Sequence, residues 1–470
     1  MQETHGDQMP PEATERTIAA ISTPPGSGGI GIIRISGAHA FAVLQKIFQP
    51  HAPDCRFKSH QFYYGRIVHP LDRKILDEVL VVYMRAPRTY TREDVVEIHC
   101  HGSFLILRQI LELILAEGIA LAEPGEFTKR AFLNGRIDLT RAEAVIDILA
   151  AKTRKGIDQA QAQLAGGLYQ RIDDIRQALM QMKALIEVAI DFPDEDIEIV
   201  DHYRLAQLLR QQVAEPLDRL VASADQGRLY RDGISVVIAG VPNVGKSSLL
   251  NALLQEERAL VTAIPGTTRD TIEEYLDIEG MPVRIIDTAG IREDVEEVEE
   301  LGIQRAKQLI QQADLVLFML DGSRGLLPAD LQLFRLVSAK PLIIVENKID
   351  LQAGGEEDYT PQGIKGKKVR ISARQQTGID LLKKTIFEVV VGSRDQWQEE
   401  ACTPNIRHKQ ALVAAGEACR RIAESLDSRQ SCDLIAVDIQ ECLDQLGVIV
   451  GVTTSEDILD VIFSQFCLGK

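Results

Sequence analysis

The sequence predicts a multidomain chain that joins α+β to α/β architecture. Its expected parts are an N-terminal α+β domain, a discontinuous all-α helical domain, and an α/β domain inserted between the two helical pieces. Three observations predict this. At 470 residues the chain needs about three cores, given roughly 100 to 200 residues per domain. The hydrophobic period changes character three times along it. Two helical stretches flank one complete alternation of strands and helices, and neighbouring domain termini make such an insertion easy.

The elements follow in order. From Thr17 to about Leu133, β-type runs at Ile30 to Ile35, Val79 to Tyr83 and Val95 to Ile98 alternate with helix-like stretches such as Leu105 to Leu115. Residues 1–135 are therefore expected as the α+β domain. In 136–233 the period is helical: Ala142, Val145, Ile146 and Leu149 share a face, as do Leu205, Leu208 and Leu209, with Pro193 and Pro216 as breaks. In 234–392, apolar runs at Val236 to Ala239, Val283 to Ile286, Leu315 to Leu320, Leu342 to Val345 and Val369 to Ile371 alternate with helices, as buried parallel strands do. The helical period returns in 393–470, where Leu412, Ala415, Cys419, Ile422 and Leu426 recur at helical steps.

Composition narrows the function classes. Hydrophobic residues make up 45% and charged residues 26%, which fits a folded chain. The net charge of −17 excludes a chain-wide polycation that grips nucleic acid nonspecifically, so any RNA contact must be local. The acid lies mainly on the helical pieces. Residues 1–135 are nearly balanced and, together with the adjoining Arg136, offer basic patches such as Lys129 and Arg130. No apolar stretch reaches the roughly 18 to 20 residues of a membrane span, and the polar, acidic N-terminus lacks targeting character. The expectation is a cytoplasmic protein with no membrane contact. Seven scattered cysteines without CxxC read as reduced thiols. His99-Cys100-His101 is strand-like, so only its two histidines share a face, which makes a poor metal site.

The chemistry begins at Gly240-Val-Pro-Asn-Val-Gly-Lys246-Ser247, a GxxxxGK[ST] loop between a strand-like and a helix-like run. Its glycines let backbone N–H groups wrap phosphates at a helix N-terminus, Lys246 adds positive charge, and the Ser247 hydroxyl can bind Mg²⁺. Asn347-Lys348-Ile-Asp350 follows a strand, and its Asp can accept from the two donors of guanine that adenine lacks. With Ser372-Ala373 and Asp287-Thr288-Ala289-Gly290 also after strands, the order is that of a Ras-like P-loop GTPase. Asp287 would reach Mg²⁺ through water, Gly290 would sense the γ-phosphate, and Thr268 would be the switch threonine on Mg²⁺. Ile291 stands where Ras-like enzymes place the water-orienting glutamine, so another group must act. The acids Glu293, Asp294, Glu296, Glu297, Glu299 and Glu300 are candidates. Asn243 offers a side-chain carbonyl for a monovalent cation that would neutralise developing charge. Gly26 to Gly31 fits GxGxxG, but a strand follows where a dinucleotide site needs a helix. The chain therefore carries no flavin motif of its own.

Taken with TPPGSGGIGIIRISG, EDVVEIHCHG, PGEFTKRAFLNGRIDL, DFPDEDI, VTAIPGTTRD and the terminal FCLGK, the sequence resembles the tRNA-modification GTPase family called MnmE or TrmE over nearly its whole length. The resemblance implies an N-terminal folate-binding domain that forms a homodimer, a discontinuous helical domain and a GTPase domain whose copies meet on GTP with K⁺ between them. It places the water-orienting catalytic acid on Glu299. The GTP contacts would run through Asn243, Val244, Gly245, Lys246, Ser247 and Ser248. In switch I they would involve Thr262, Ala263, Ile264, Pro265, Gly266, Thr267 and Thr268, and beyond it the Asp287 to Gly290, Asn347 to Asp350 and Ser372-Ala373 elements. The K⁺ ligands would be Asn243, Thr262, Ile264 and Thr267, with Mg²⁺ on Ser247 and Thr268. Folate, as the 5-formyl or methylene tetrahydro form, would contact Arg34, Glu97, Arg136 and Lys470, and Cys467 is a possible functional thiol.

The implied activity is K⁺-stimulated GTP hydrolysis. With a flavin-dependent partner subunit of the MnmG/GidA family in a heterotetramer, it would install a carboxymethylaminomethyl-type group at C5 of the wobble uridine, position 34, of certain tRNAs. The alternative is an RNA- or ribosome-associated regulatory GTPase switch without modification activity, which the GTPase motifs alone do not separate from the first.

Overall fold

The computed structural model describes residues 16–52, 55–191, 201–256, 274–287, 308–351, 366–392 and 402–470. Two compact units emerge, one from described residues within Met1–Ile146 and Gly447–Lys470, the other from those between 147 and 446.

In the first unit, strands β1 (Ile18–Ile21), β2 (Gly28–Ser36), β3 (Phe48–Pro50), β4 (Gln61–Val68), β5 (Ile75–Met84), β6 (Val95–Gly102) and β7 (Ala120–Leu121) form a sheet in the order β3-β4-β5-β6-β2-β1-β7. Alternation decides its two faces. Ile33, Ile35, Val79, Val81, Val96 and Ile98 point one way and are buried under α1 (Ala40–Ile47) and α2 (Phe104–Ala116). The register Arg34↔Glu97↔Val82↔Phe62 and Ile32↔His99↔Leu80↔Tyr64 puts those residues on the opposite face. The helices α3 (Glu126–Leu133) and α4 (Leu139–Ala150) follow. From the far end of the chain, Leu459, Ile462, Phe463 and Phe466 pack on Leu139 and Ala142.

In the second unit, β8 (Ile234–Ala239), β9 (Glu274–Ile278), β10 (Met281–Asp287), β11 (Leu315–Asp321), β12 (Leu342–Asn347) and β13 (Lys367–Arg370) run in the order β13-β12-β11-β8-β10-β9. All neighbours are parallel except β9 and β10. β8 and β12 are buried at every residue, as strands covered on both faces must be. Val236, Ile238, Leu315, Leu317 and Ile343 enter one core, and Val237, Ala239, Val316, Phe318 and Ile344 the other. Each such side chain contributes about 1.5 to 3 kcal/mol. The apolar runs expected as parallel strands are those strands. The edge strand β9 lacked so plain an apolar signature.

The helices of this unit come from both sides of the sheet domain in sequence: α5 (Arg154–Leu164), α6 (Gly167–Asp191), α7 (His202–Leu209) and α8 (Glu215–Arg231) before it, and Ile406–Asp427 and Cys432–Val450 after it. Lys183 bonds Gln440 and Lys409 pairs with Asp225, so the helical domain is discontinuous. Pro216 does not break the chain as expected. Residues Arg210–Ala214 widen into a π turn in which the Glu215 amide donates to the Arg210 carbonyl, five residues back. The ring then falls at the first turn of α8, where a missing N–H costs little.

Candidate functional site

The phosphate loop follows the buried β8 and leads into α9 (Lys246–Glu256). Its path needs a left-handed residue at Asn243 (φ 62°) and at Gly245 (φ 104°). A Cβ on Gly245 would also lie 2.3 Å from Asn347 Nδ2, so only glycine fits. Lys246 Nζ donates to the carbonyls of Gly240 at 2.9 Å and Val241 at 3.2 Å, which holds the ammonium across the loop. At the start of α9, Lys246, Ser247 and Ser248 present amides that precede the helix's own bonding, the usual seat of a phosphate. Ser247 and Ser248 are exposed and Val244 is buried.

The base-recognition elements brace this loop from behind. Asn347, 3% exposed, donates from Nδ2 to the Val244 carbonyl at 2.9 Å and accepts from the Ala373 amide at 3.0 Å. Lys348, itself left-handed (φ 64°), reaches the Asn243 carbonyl at 2.8 Å and Asp321 at 2.7 Å. Ser372 Oγ donates to Asp350 Oδ1 at 2.6 Å, which orients that carboxylate. The motifs around 243, 347 and 372 therefore meet, as the sequence implied. Asp321 was missed, although an acid directly after the apolar run 315–320 was the available signal. Burial acts to raise its carboxyl, but bonds from Lys348 and from the Ser323 hydroxyl and amide outweigh that and hold it below its ordinary value. The expected residues 262–268, 288–290 and Glu299 lie outside the described residues. Asp287 closes β10.

A second site lies in the first unit. Arg34 and Glu97 face each other across β2 and β6 and pair at 2.8 Å, each about one-fifth exposed. The Arg34 guanidinium lies 5.6 Å from the Phe127 ring centre and 5.9 Å from that of Tyr90, and Arg136 lies 4.9 Å from Tyr90. The chain's end closes on the same point. The Gly469 carbonyl accepts from Ser22 Oγ at 3.1 Å and from Arg34 at 3.4 Å, and the Lys470 carbonyl accepts from the Phe127 amide at 3.2 Å. Arg34, Glu97, Arg136 and Lys470 thus come together around two aromatic rings that sequence reading did not single out. Cys467 is exposed.

Residues 139–467 match the family described as the MnmE helical domain, and residues 17–136 match that described as the GTP-binding protein TrmE N-terminus. The protein of Desulfotalea psychrophila named tRNA modification GTPase MnmE is 60% identical over 97% of this chain and 99% of its own length. The chain belongs to the MnmE family. Another relative of that name, from Thermoanaerobacter pseudethanolicus, is 46% identical over 97% of this chain and 99% of its own. Among solved structures, a variant of Aquifex aeolicus Era bound to GDP and AlF4⁻ is similar over 39% of this chain and 66% of that one, at 28% identity and a TM-score of 0.27.

For this MnmE-family chain the expected basic patch changes. Arg130 is no part of a basic surface. It is 2% exposed and pairs with Glu93 at 3.1 Å and Glu126 at 2.7 Å, while Lys129 pairs with Asp460 at 2.6 Å. A helix that carries a glutamate four residues before Arg130 had signalled that pairing. Of the three basic residues, Arg136 alone remains exposed and without a carboxylate partner among the described residues. In the 99–101 segment, His101 is bound to Asp77 at 2.7 Å and Cys100 faces the core, where burial first and the Asp77 charge second push its thiol up to about 12.

Proposed function

We propose that this GTPase uses K⁺-stimulated GTP hydrolysis, together with a flavin-dependent partner subunit of the MnmG/GidA family, to modify C5 of the wobble uridine of certain tRNAs with a carboxymethylaminomethyl-type group. A reduced folate bound in the first unit would supply the one-carbon unit. The observation that carries this reading is the convergence of Arg34, Glu97, Arg136 and the terminal Gly469-Lys470 around Tyr90 and Phe127. The groups suit a folate. Glu97 can accept from the ring N–H and amino group of a pterin, as Asp350 can from guanine. Flat rings suit Tyr90 and Phe127, and His99 Nε2, 3.5 Å from Glu97, is a buried polar atom without a hydrogen-bond partner among the described residues.

The domain division in this scheme is 1–135, 136–233, 234–392 and 393–470, with folate binding assigned to the first part and GTP hydrolysis to the third. A homodimer is supported by the uncovered sheet face beside Arg34, where Ile30, Phe62, Tyr64 and Leu80 are 46 to 66% exposed.

At the phosphate loop, Ser247 would hold Mg²⁺ with Thr268, and Asn243 would hold K⁺ with Thr262, Ile264 and Thr267. The Ser247 hydroxyl and the Asn243 side-chain amide are exposed and bond no other described residue, so both donors fit. Bound cations would supply charge neutralisation at the phosphates. Lys246 and the loop amides orient the phosphates, Asn347 and Asp350 select guanine, and Glu299 orients the attacking water. Glu299→Ala should then lose GTP hydrolysis at least a hundredfold while nucleotide binding is kept, and normal turnover would refute its role. Loss of the C5 modification from wobble uridine in cells deprived of the chain tests the wider scheme. Unchanged tRNA there would favour a regulatory switch instead.

A further inference from the structure

Beside the folate site lies a cleft of about 510 Å³, within the range of small-molecule pockets, lined by Met84, Pro87, Arg88, Tyr90, Arg92 and Arg136. Three of these are arginines, and no carboxylate lines the cleft. Among the described residues none of the three forms an ion pair. Arg92 bonds only the Asn134 carbonyl at 2.8 Å, and Arg136 lies over Tyr90. The wall is built rather than loose. Thr89 Oγ1 donates to the Glu93 carbonyl at 2.6 Å, the Ala86 amide to Asp94 at 2.9 Å, and His60 bonds the Arg88 carbonyl at 2.9 Å. Tyr90 belongs to both sites, since its ring also receives Arg34.

We infer that this cleft holds the anionic glutamate tail of the folate, so that the protein prefers folates carrying several γ-linked glutamates over the monoglutamate. The inference rests on the folate reading above and extends it to the form of the ligand. A folate ends in a glutamate, and every added residue brings one more carboxylate. Planar guanidiniums match carboxylates in pairs, and three of them without a carboxylate partner among the described residues make a receptor for a short polyanion. Met84, Pro87 and Tyr90 supply apolar walls for its methylenes and the aryl group. An RNA backbone fits less well. Its recognition needs a run of exposed positive charge, whereas Lys129 and Arg130 are neutralised by Asp460, Glu93 and Glu126. Neither residue extends the cleft's positive charge, and the chain's net charge of −17 repels long polyanions.

The test titrates the full chain with 5-formyltetrahydrofolate as mono- and triglutamate, by calorimetry at low and high salt. The triglutamate should bind roughly five- to tenfold tighter, with a smaller margin at high salt. Arg88→Gln should bring the two ligands within about twofold by weakening the triglutamate more than the monoglutamate, and Arg88→Lys should restore part of the preference. Equal affinities in the unaltered protein, or a preference that survives Arg88→Gln, would overturn the inference. If Arg88→Gln instead weakens tRNA binding and leaves the triglutamate preference intact, the cleft serves RNA and the inference fails. If the monoglutamate itself does not bind the unaltered protein, the folate reading falls, and the inference with it.

Discussion

At the nucleotide pocket the bracing groups lie just beyond strand ends of one sheet, and the central one is a neutral amide. Asn347 ties the phosphate loop to Ala373 without using a charge, and Lys246 donates to the loop carbonyls of Gly240 and Val241. The site of the first unit is built the other way. Its segments are far apart in sequence, as the bond between Ser22 and Gly469, 447 positions apart, illustrates, and its Arg34 and Glu97 are already paired with each other. A ligand there must insert among existing ion pairs, whereas a nucleotide completes a half-set of donors. The first arrangement depends on long-range closure of the chain, the second on local backbone geometry.

The sharpest way to break that contrast is Arg130→Met. It leaves Glu93 and Glu126, 15 and 17% exposed, without their shared cation, which should cost the first unit about 3 to 5 kcal/mol. Hydrogen exchange should accelerate across residues 16–146 while GTP affinity stays within twofold. Equal loosening of β8 and β12 would mean that the two units do not have separate stabilities.

Asn347→Ala probes the other side. It strips a partner from both the Val244 carbonyl and the Ala373 amide, which are buried, at about 1 to 3 kcal/mol for each group left unpaired. The expected result is a roughly hundredfold weaker GTP affinity, equivalent to about 3 kcal/mol, with unchanged exchange in the first unit. Unaltered affinity would show that the loop holds its shape without the brace.

This difference also explains what could be read from the sequence. The nucleotide pocket was legible because each part is a short motif following an apolar run, and the parallel sheet dictates that the ends of 234–239, 342–347 and 367–370 lie together. The folate-type residues were placed only through resemblance. No periodicity indicates that Tyr90 and Phe127 flank Arg34, because both lie outside the strands that carry Arg34 and Glu97, and their meeting depends on how loops and α3 fold over the sheet edge. Arg130 was misread for the same reason. Composition counts it as a surface charge; the four-residue spacing signals Glu126, and only tertiary packing reveals Glu93 and the burial.

The smallest effect is the most specific to the nucleotide side. Among the described residues Asp321 is the acidic anchor of that bracing, through its ion pair with Lys348. Its carboxyl titrates lower in the folded chain than in the unfolded one, where about 3.9 is ordinary. The stability it contributes is then complete above that ordinary value, and it disappears as pH falls through the lower folded value. From pH 5 to 8 this pair should add no pH dependence. Comparing the unaltered protein with Asp321→Asn by urea unfolding of the second unit isolates it. The difference between the two should stay constant down to about pH 4 and shrink below that. A difference that persists undiminished to pH 3 would mean that Lys348 is held by its bond to the Asn243 carbonyl alone. The bracing of the phosphate loop would then be wholly neutral, and the contrast with the charged site of the first unit would be complete.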